Sequence, residues 1–264
     1  MLELRTAVIF IGIAALLAPV CASADSLRFI ACPVYRDIDL GPKSGCWLAT
    51  DPASGIRYDI GSGRSEPQWG REVLVEGVAS QDTDSCGGVV LQPVRVAVLQ
   101  GHCNKHMLPA EGFAGRAFKL PAEVMQQMWV PRQAPTAPFE AQEFVIFFGF
   151  NSSFPSYQYS EIILEKAALY ALASDPSRIE ITGYAATQPY EVSGRTLAEH
   201  DDVARARAEK VALAFERLGI PESVIDVRWK SGAEAMLGGD DGLAEPSKRR
   251  VVISIRKFPV GHRR

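Results

Sequence analysis

Two patterns of hydrophobic and polar positions divide the sequence. From Asp25 to about Leu108 apolar residues come in short runs, near Cys46 to Thr50, Ile56 to Ile60, Glu72 to Val78 and Val89 to Leu99. Val73, Val75 and Val78 sit among polar neighbours, and Val89, Val90, Val94, Val96 and Val98 make a β-branched run that alternates in its second half, the mark of a strand with one buried face. Turn signals separate these runs: Asp51-Pro52-Ala53-Ser54-Gly55, Gly61-Ser62-Gly63 and Gly87-Gly88. Roughly four or five short strands in about 80 residues predict a small barrel, read here as OB-like; a compact sandwich would write the same pattern.

From Pro109 to Phe139 prolines at 109, 121, 131, 135 and 138 interrupt any period, and Pro131 to Pro138 reads as a linker, because each proline removes a donor and favours an extended chain. A short helix is expected at Ala122 to Met128, and two domains on a semi-stiff tether follow. Beyond the linker, strand and helix alternate. Phe144 to Phe150 reads as a buried strand. Ile162, Ile163, Leu164, Ala167, Ala168, Ala171 and Leu172 form the apolar face of a helix over Glu161 to Ser174, closed by Asp175-Pro176. Ile179 to Tyr184 is a strand. Asp202 to Leu218 is a helix with Val203, Val211, Phe215 and Leu218 on one stripe and Gly219 beyond it. Val224 to Trp229 and Val251 to Ile255 are two more strands. The fold class is therefore α+β, with a C-terminal βαβαββ domain whose helices cover one face of a mixed sheet.

Composition adds the compartment. Arg5, the apolar run Ala7 to Ala18 and the small-x-small segment Ala22-Ser23-Ala24 read as a secretory signal, with an uncleaved anchor as the alternative. Cys21 is preceded by Pro19-Val20 rather than by a small residue, which argues against a lipid anchor. The expected boundaries are 1–24 for the signal, 25–108 for the β-rich domain, 109–139 for the linker and 140–264 for the second domain. Of five cysteines, Cys32, Cys46, Cys86 and Cys103 remain after the signal, an even number that predicts disulfides in an oxidising compartment, with the pairing open. The competing reading is a zinc site at Cys103 with His102 and His106, and the lack of a Cys-x-x-Cys pair weighs against it. A net charge of −3 with mixed signs points to neither nucleic acid nor an anionic membrane.

Four blocks in the second half carry a resemblance. Phe148-Gly149-Phe150-Asn151-Ser152-Ser153, Ile179-Glu180-Ile181-Thr182-Gly183-Tyr184, Arg207-Ala208-Glu209-Lys210-Val211 followed by Leu218-Gly219-Ile220, and Lys248-Arg249-Arg250-Val251-Val252-Ile253 are similar, in that order, to the signature segments of the OmpA C-terminal family. The resemblance implies a module that binds the diaminopimelate-containing stem peptide of peptidoglycan noncovalently, with an aspartate and an arginine facing the zwitterionic end of the side chain. Arg207 matches the arginine. Ala186 stands where the family has its aspartate, and a missing charged partner costs about 1.5–3 kcal/mol. The loop before Arg207 is longer than the family's and offers Glu191, Glu199, Asp201 and Asp202 as replacements, with Glu199 and Asp202 placed best if the helix begins early. Asp201 and Asp202 also suit a helix N-terminus by charge alone. His200 falls on the family's asparagine position. Arg249 shares the inward side of its strand with Val251, Ile253 and Ile255, either to meet the ligand or to satisfy buried carbonyls.

No nucleophile elbow, zinc helix or phosphate loop is present, so neither a catalytic residue nor a cofactor is expected. The sequence thus predicts a periplasmic, non-catalytic protein that holds peptidoglycan and presents its first domain to an envelope partner. The alternative is an OmpA-like module that has lost wall affinity and serves as an interaction scaffold. A third reading has Trp47 and Trp69 stacking on a glycan. The strands are too short for an outer-membrane barrel, so any association with the outer membrane runs through the partner.

Overall fold

The computed structural model describes residues 26–38, 45–82, 86–110, 112–113, 115, 132–155, 159–236 and 241–256. The expected signal segment and the helix read at 122–128 lie outside them.

Among the described residues from 26 to 110, every regular element is a strand. Leu27–Ala31 (β1) and Val34–Arg36 (β2) form one path broken at Cys32-Pro33, where proline cannot donate to a ladder. Cys46–Thr50 (β3), Arg57–Asp59 (β4), Arg71–Ala79 (β5), Val89–His102 (β6) and Met107–Leu108 (β7) complete a seven-stranded sheet in the order β1-β5-β6-β4-β3-β2-β7. Because β1 lies on β5 while β2 lies between β3 and β7, one bent path links the first strand of the order to the last but one. Only β4–β6 and β2–β7 are parallel. Phe29, Val73, Val75, Leu91, Val94 and Val96 fill the interior with Trp47, Tyr58 and Ile60. The strands near Cys46, Ile56, Glu72 and Val89 were legible as such; β1, β2 and β7 are short and were not.

The disulfides are Cys32–Cys103 and Cys46–Cys86, with Cα separations of 5.6 and 6.0 Å that lie within the range such bridges need. The first ties the break between β1 and β2 to the residue after β6. The second ties the start of β3 to the segment before β6.

The second half follows the expected order with additions. Gln142–Phe147 (β8), Tyr159–Ser174 (α1), Arg178–Tyr184 (β9), Val203–Arg217 (α2), Ile225–Lys230 (β12) and Arg250–Arg256 (β13) make the βαβαββ path. A hairpin of Tyr190–Val192 (β10) and Arg195–Leu197 (β11) is inserted between β9 and α2, and a short helix, Ala244–Ser247 (α3), precedes β13. The sheet runs β12-β9-β13-β8, with β12–β9 parallel and the other pairs antiparallel. Ala167, Ala171, Ala208, Val211 and Phe215 from the helices pack on Ile146, Ile179, Ile181, Val251 and Ile253 from the strands. Gly183 lets α2 approach β9: a Cβ there would lie 2.0 Å from the Ala204 carbonyl oxygen. Leu172 and Leu218, expected on the buried faces of their helices, are exposed.

Beyond the expected proline-rich connection, the two halves meet directly. Ile30, Leu74, Ala97 and Leu99 from the first half share a buried cluster with Phe150, Val192 and Leu197 from the second, with Tyr190 packed against it. The Ile30 N–H donates to Ser193 Oγ at 3.0 Å, Arg195 pairs with Glu72 at 2.6 Å, and Arg249 pairs with Glu76, as Arg95 does with Asp241. The inserted hairpin seals this contact, and with apolar burial between them the halves do not hang as separate beads.

Candidate functional site

The residues that carry the resemblance converge where β8, β9 and α2 meet. Arg207 lies in the second turn of α2 and is completely buried. Its Nε donates to the Ser152 carbonyl at 2.8 Å, Nη1 to the Tyr184 carbonyl at 2.8 Å and to Glu199 Oε2 at 3.0 Å, and Nη2 to the Gly149 carbonyl at 3.0 Å and to Glu199 Oε1 at 2.5 Å. Every N–H of the guanidinium is therefore taken. The ring of Phe148 lies beneath it, 5.3 Å from the guanidinium carbon.

Glu199 is equally enclosed. Besides the two nitrogens of Arg207, its carboxylate accepts the Asn151 N–H at 2.8 Å and the Ala186 N–H at 2.7 Å. The Ala186 carbonyl in turn accepts the Glu199 N–H at 3.0 Å. Burial pushes the Glu199 carboxyl up, but the hydrogen bonds and charge of Arg207 and the Ala186 N–H outweigh it and hold the group below its ordinary value. Burial pulls Arg207 down while Glu199 opposes the shift. The pair is thus an internal, fully bonded charge couple in which both partners stay ionised.

Among the expected site residues, the structure brings Arg207, Glu199 and Ala186 together and leaves the others out. Glu199 is the carboxylate that meets Arg207, and it does so from the stretch between β11 and α2 rather than from a helix, since α2 begins only at Val203. Asp202 sits at the helix N-terminus, exposed and without a side-chain cap bond, so its role there is electrostatic. His200 is exposed, and its backbone N–H donates to Asn151 Oδ1 at 2.8 Å, which helps hold Asn151 at its positive φ of 51°. Arg249, expected on the inward side of its strand, lies just before β13 instead, where it is buried and bonds to Glu76 of β5 rather than to carbonyls. Its guanidinium stays above its ordinary pKa, because the charge of Glu76 outweighs burial.

Glu76 and the hairpin were missed from the sequence. The signal was present in β5: alternation puts Val73 and Val75 on one face and Leu74 and Glu76 on the other, and an apolar Leu74 beside a buried acid calls for a cover on the second face too.

In the first half the four cysteines are bonded to one another, so the ligands of the zinc alternative are reduced to His102 and His106, both exposed. Asp59 lies with the sulfurs of Cys46 and Cys86 within 4.8 Å, but those sulfurs form a bridge. Trp69, half exposed, packs on Trp47 with ring centroids 4.8 Å apart and on Tyr35 at 5.6 Å, and the three rings line a cavity of about 490 Å³ together with Ile60 and Glu66. None of the helices among the described residues is long and apolar enough to cross a membrane.

No protein-family model matches the sequence, and neither does any curated protein. Solved structures similar to it include the OmpA-like domain of FopA1 from Francisella tularensis, 19% identical over 44% of this chain and 71% of that one, with a TM-score of 0.35. The peptidoglycan-associated lipoprotein from Burkholderia pseudomallei is 23% identical over 42% of this chain and 87% of its own, with a TM-score of 0.32. The cell wall anchor of the T6SS from Pseudomonas aeruginosa is 17% identical over 45% and 83%, with a TM-score of 0.34.

Proposed function

We propose that the chain is a non-catalytic protein of the cell envelope whose OmpA-like second unit works as an interaction scaffold rather than as a grip on the peptidoglycan stem peptide. The observation that carries this reading is the saturation of Arg207. A zwitterionic side chain would have to displace Glu199 from a guanidinium that already has an acceptor on every donor. Neither Arg207 nor Glu199 is among the residues lining the cavity beside Trp47 and Trp69, the one beside Arg95 and Arg249, or the one beside Arg71 and His102. Replacing a buried charge couple of this kind by a ligand of the same chemistry returns little free energy for the desolvation it demands.

The two disulfides support export to an oxidising compartment, and the periplasm is the compartment proposed. The units divide at 109–139, and the strand order of the first, β1-β5-β6-β4-β3-β2 with β1 running on into β2, supports an OB-like barrel. Presentation to an envelope partner, and through it any association with the outer membrane, would use the surface of that barrel.

Sedimentation with isolated sacculi tests the proposal. The expected result is that the purified chain stays in the supernatant. A pelleted fraction that free diaminopimelate competes away would restore the stem-peptide reading. A second reading for the barrel rests on the Tyr35, Trp47 and Trp69 cavity, whose exposed indole suits a sugar face. Quenching of tryptophan fluorescence by glycan fragments, lost in Trp69→Ala, is its expected signature.

A further inference from the structure

Where the two halves meet, β6 of the first and the segment after β8 of the second enclose a cavity of about 280 Å³. Arg64, Arg95 and Arg249 line it together with Phe147, Phe150 and Val98, and among the described residues no acidic one does. Arg249 is the distinctive member. It is 1% exposed; among the described residues its Nη2 has an acceptor in Glu76, and its Nε and Nη1 have none. Buried charged donors without acceptors are costly to keep, and a ligand oxygen that meets them recovers that cost on binding.

The rest of the lining decides what kind of anion fits. Phe147 and Phe150 with Val98 make the walls mostly apolar, which penalises a multiply charged phosphate that would lose its hydration. A single charge joined to a compact apolar group meets both demands. We infer that this cavity between the two halves is a binding site for a carboxylate attached to a short aliphatic group, held at Arg249 and covered by the aromatic wall. The shared chemistry has two sources, a free short-chain acid and the C-terminal carboxylate of a peptide. The cavity shares Phe148, Gly149 and Ser152 with the surroundings of Arg207, but Arg207 itself does not line it, and the inference does not depend on the scaffold reading.

Isothermal titration calorimetry on the full chain provides the test, with isovalerate and N-acetyl-Ala-Ala as probes and their amides as uncharged controls. At least one acid is expected to bind, its amide roughly tenfold or more weaker. Isovalerate alone identifies a free acid as the source, and the dipeptide alone a peptide terminus. Val98 is partly exposed and lines the cavity, so Val98→Trp fills the space without removing a polar partner. That variant is expected to keep the wild-type melting temperature and lose binding. The paired change Glu76→Gln with Arg249→Gln removes both charges together and is expected to abolish preference for the acid over the amide. No heat with either acid, equal binding of acid and amide, or unchanged binding in Val98→Trp would overturn the inference.

Discussion

Arg207 and Glu199 stabilise each other only as a pair. Removing either leaves a buried charge unmatched, so Arg207→Met or Glu199→Gln is expected to lower stability by about 3–5 kcal/mol, read as a shift in the urea midpoint. Because the two share one interaction, the double variant should cost less than the sum of the singles, and strict additivity would show that the couple is not the unit it looks. The acid limb gives an independent measurement. Glu199 is held below its ordinary value in the folded chain, so its contribution is fully present above that value, 4.5, and is lost as the pH falls through the lower folded one. Thermal unfolding followed from neutral pH downward should therefore show a loss below about 4.5 that is smaller in Glu199→Gln, which has no proton to take up. The arginine was legible in the sequence because its flanking residues sit in a recognisable block. Its partner was not, because the choice among Glu191, Glu199, Asp201 and Asp202 depends on where α2 begins and on a hairpin that places Glu199 thirteen residues from Ala186 in sequence but bonded to it in space.

At the level of elements, helical and strand periodicity recovered α1, α2, β9, β12 and β13 to within one or two residues at each end, because each presents one apolar face to a single core. The hairpin of β10 and β11 escaped for a physical reason. Its strands are three residues long, too short for a period, and its turn at Ser193-Gly194 shows its nature only through positive φ angles of 50° and 72°. The contact between α2 and β9 carries the sharpest prediction at this scale. Gly183 faces the Ala204 carbonyl and the Ala208 methyl, both on the helix backbone side, so an added methyl cannot be accommodated by rotating a side chain. Gly183→Ala should destabilise by about 1–3 kcal/mol or more through forced separation of α2 from the sheet. Hydrogen exchange should report it first in the amides of β9 and β12, and protection there at the wild-type level would mean that the helix can shift without cost.

For the whole molecule, the sequence reads as a β-rich part and an alternating part joined by a proline-rich connection, and that composition says nothing of how the two parts pack. A linker fixes how far two units can separate, whereas apolar burial decides whether they do. Here Leu74, Ala97 and Val192 are buried against one another, and the Arg249–Glu76 pair crosses the same boundary at almost no exposure. Cutting the chain would expose those apolar side chains and take Glu76 away from Arg249. A fragment beginning at residue 132 is therefore expected to melt several degrees below the same elements in the full chain, since each kcal/mol lost moves a domain of this size by about 3–5 °C. Reducing the disulfides should act through the same boundary: Cys32 follows β1, whose Ile30 N–H bonds to Ser193 of the hairpin, so loosening β1 frees the seal on the second half. In calorimetry the oxidised full chain should unfold in one cooperative transition and the reduced chain at a lower temperature, with the fragment unaffected by reductant because it contains none of the four bridged cysteines. Two separate transitions in the oxidised chain, one coinciding with that of the fragment, would show that the halves are held together only by the linker.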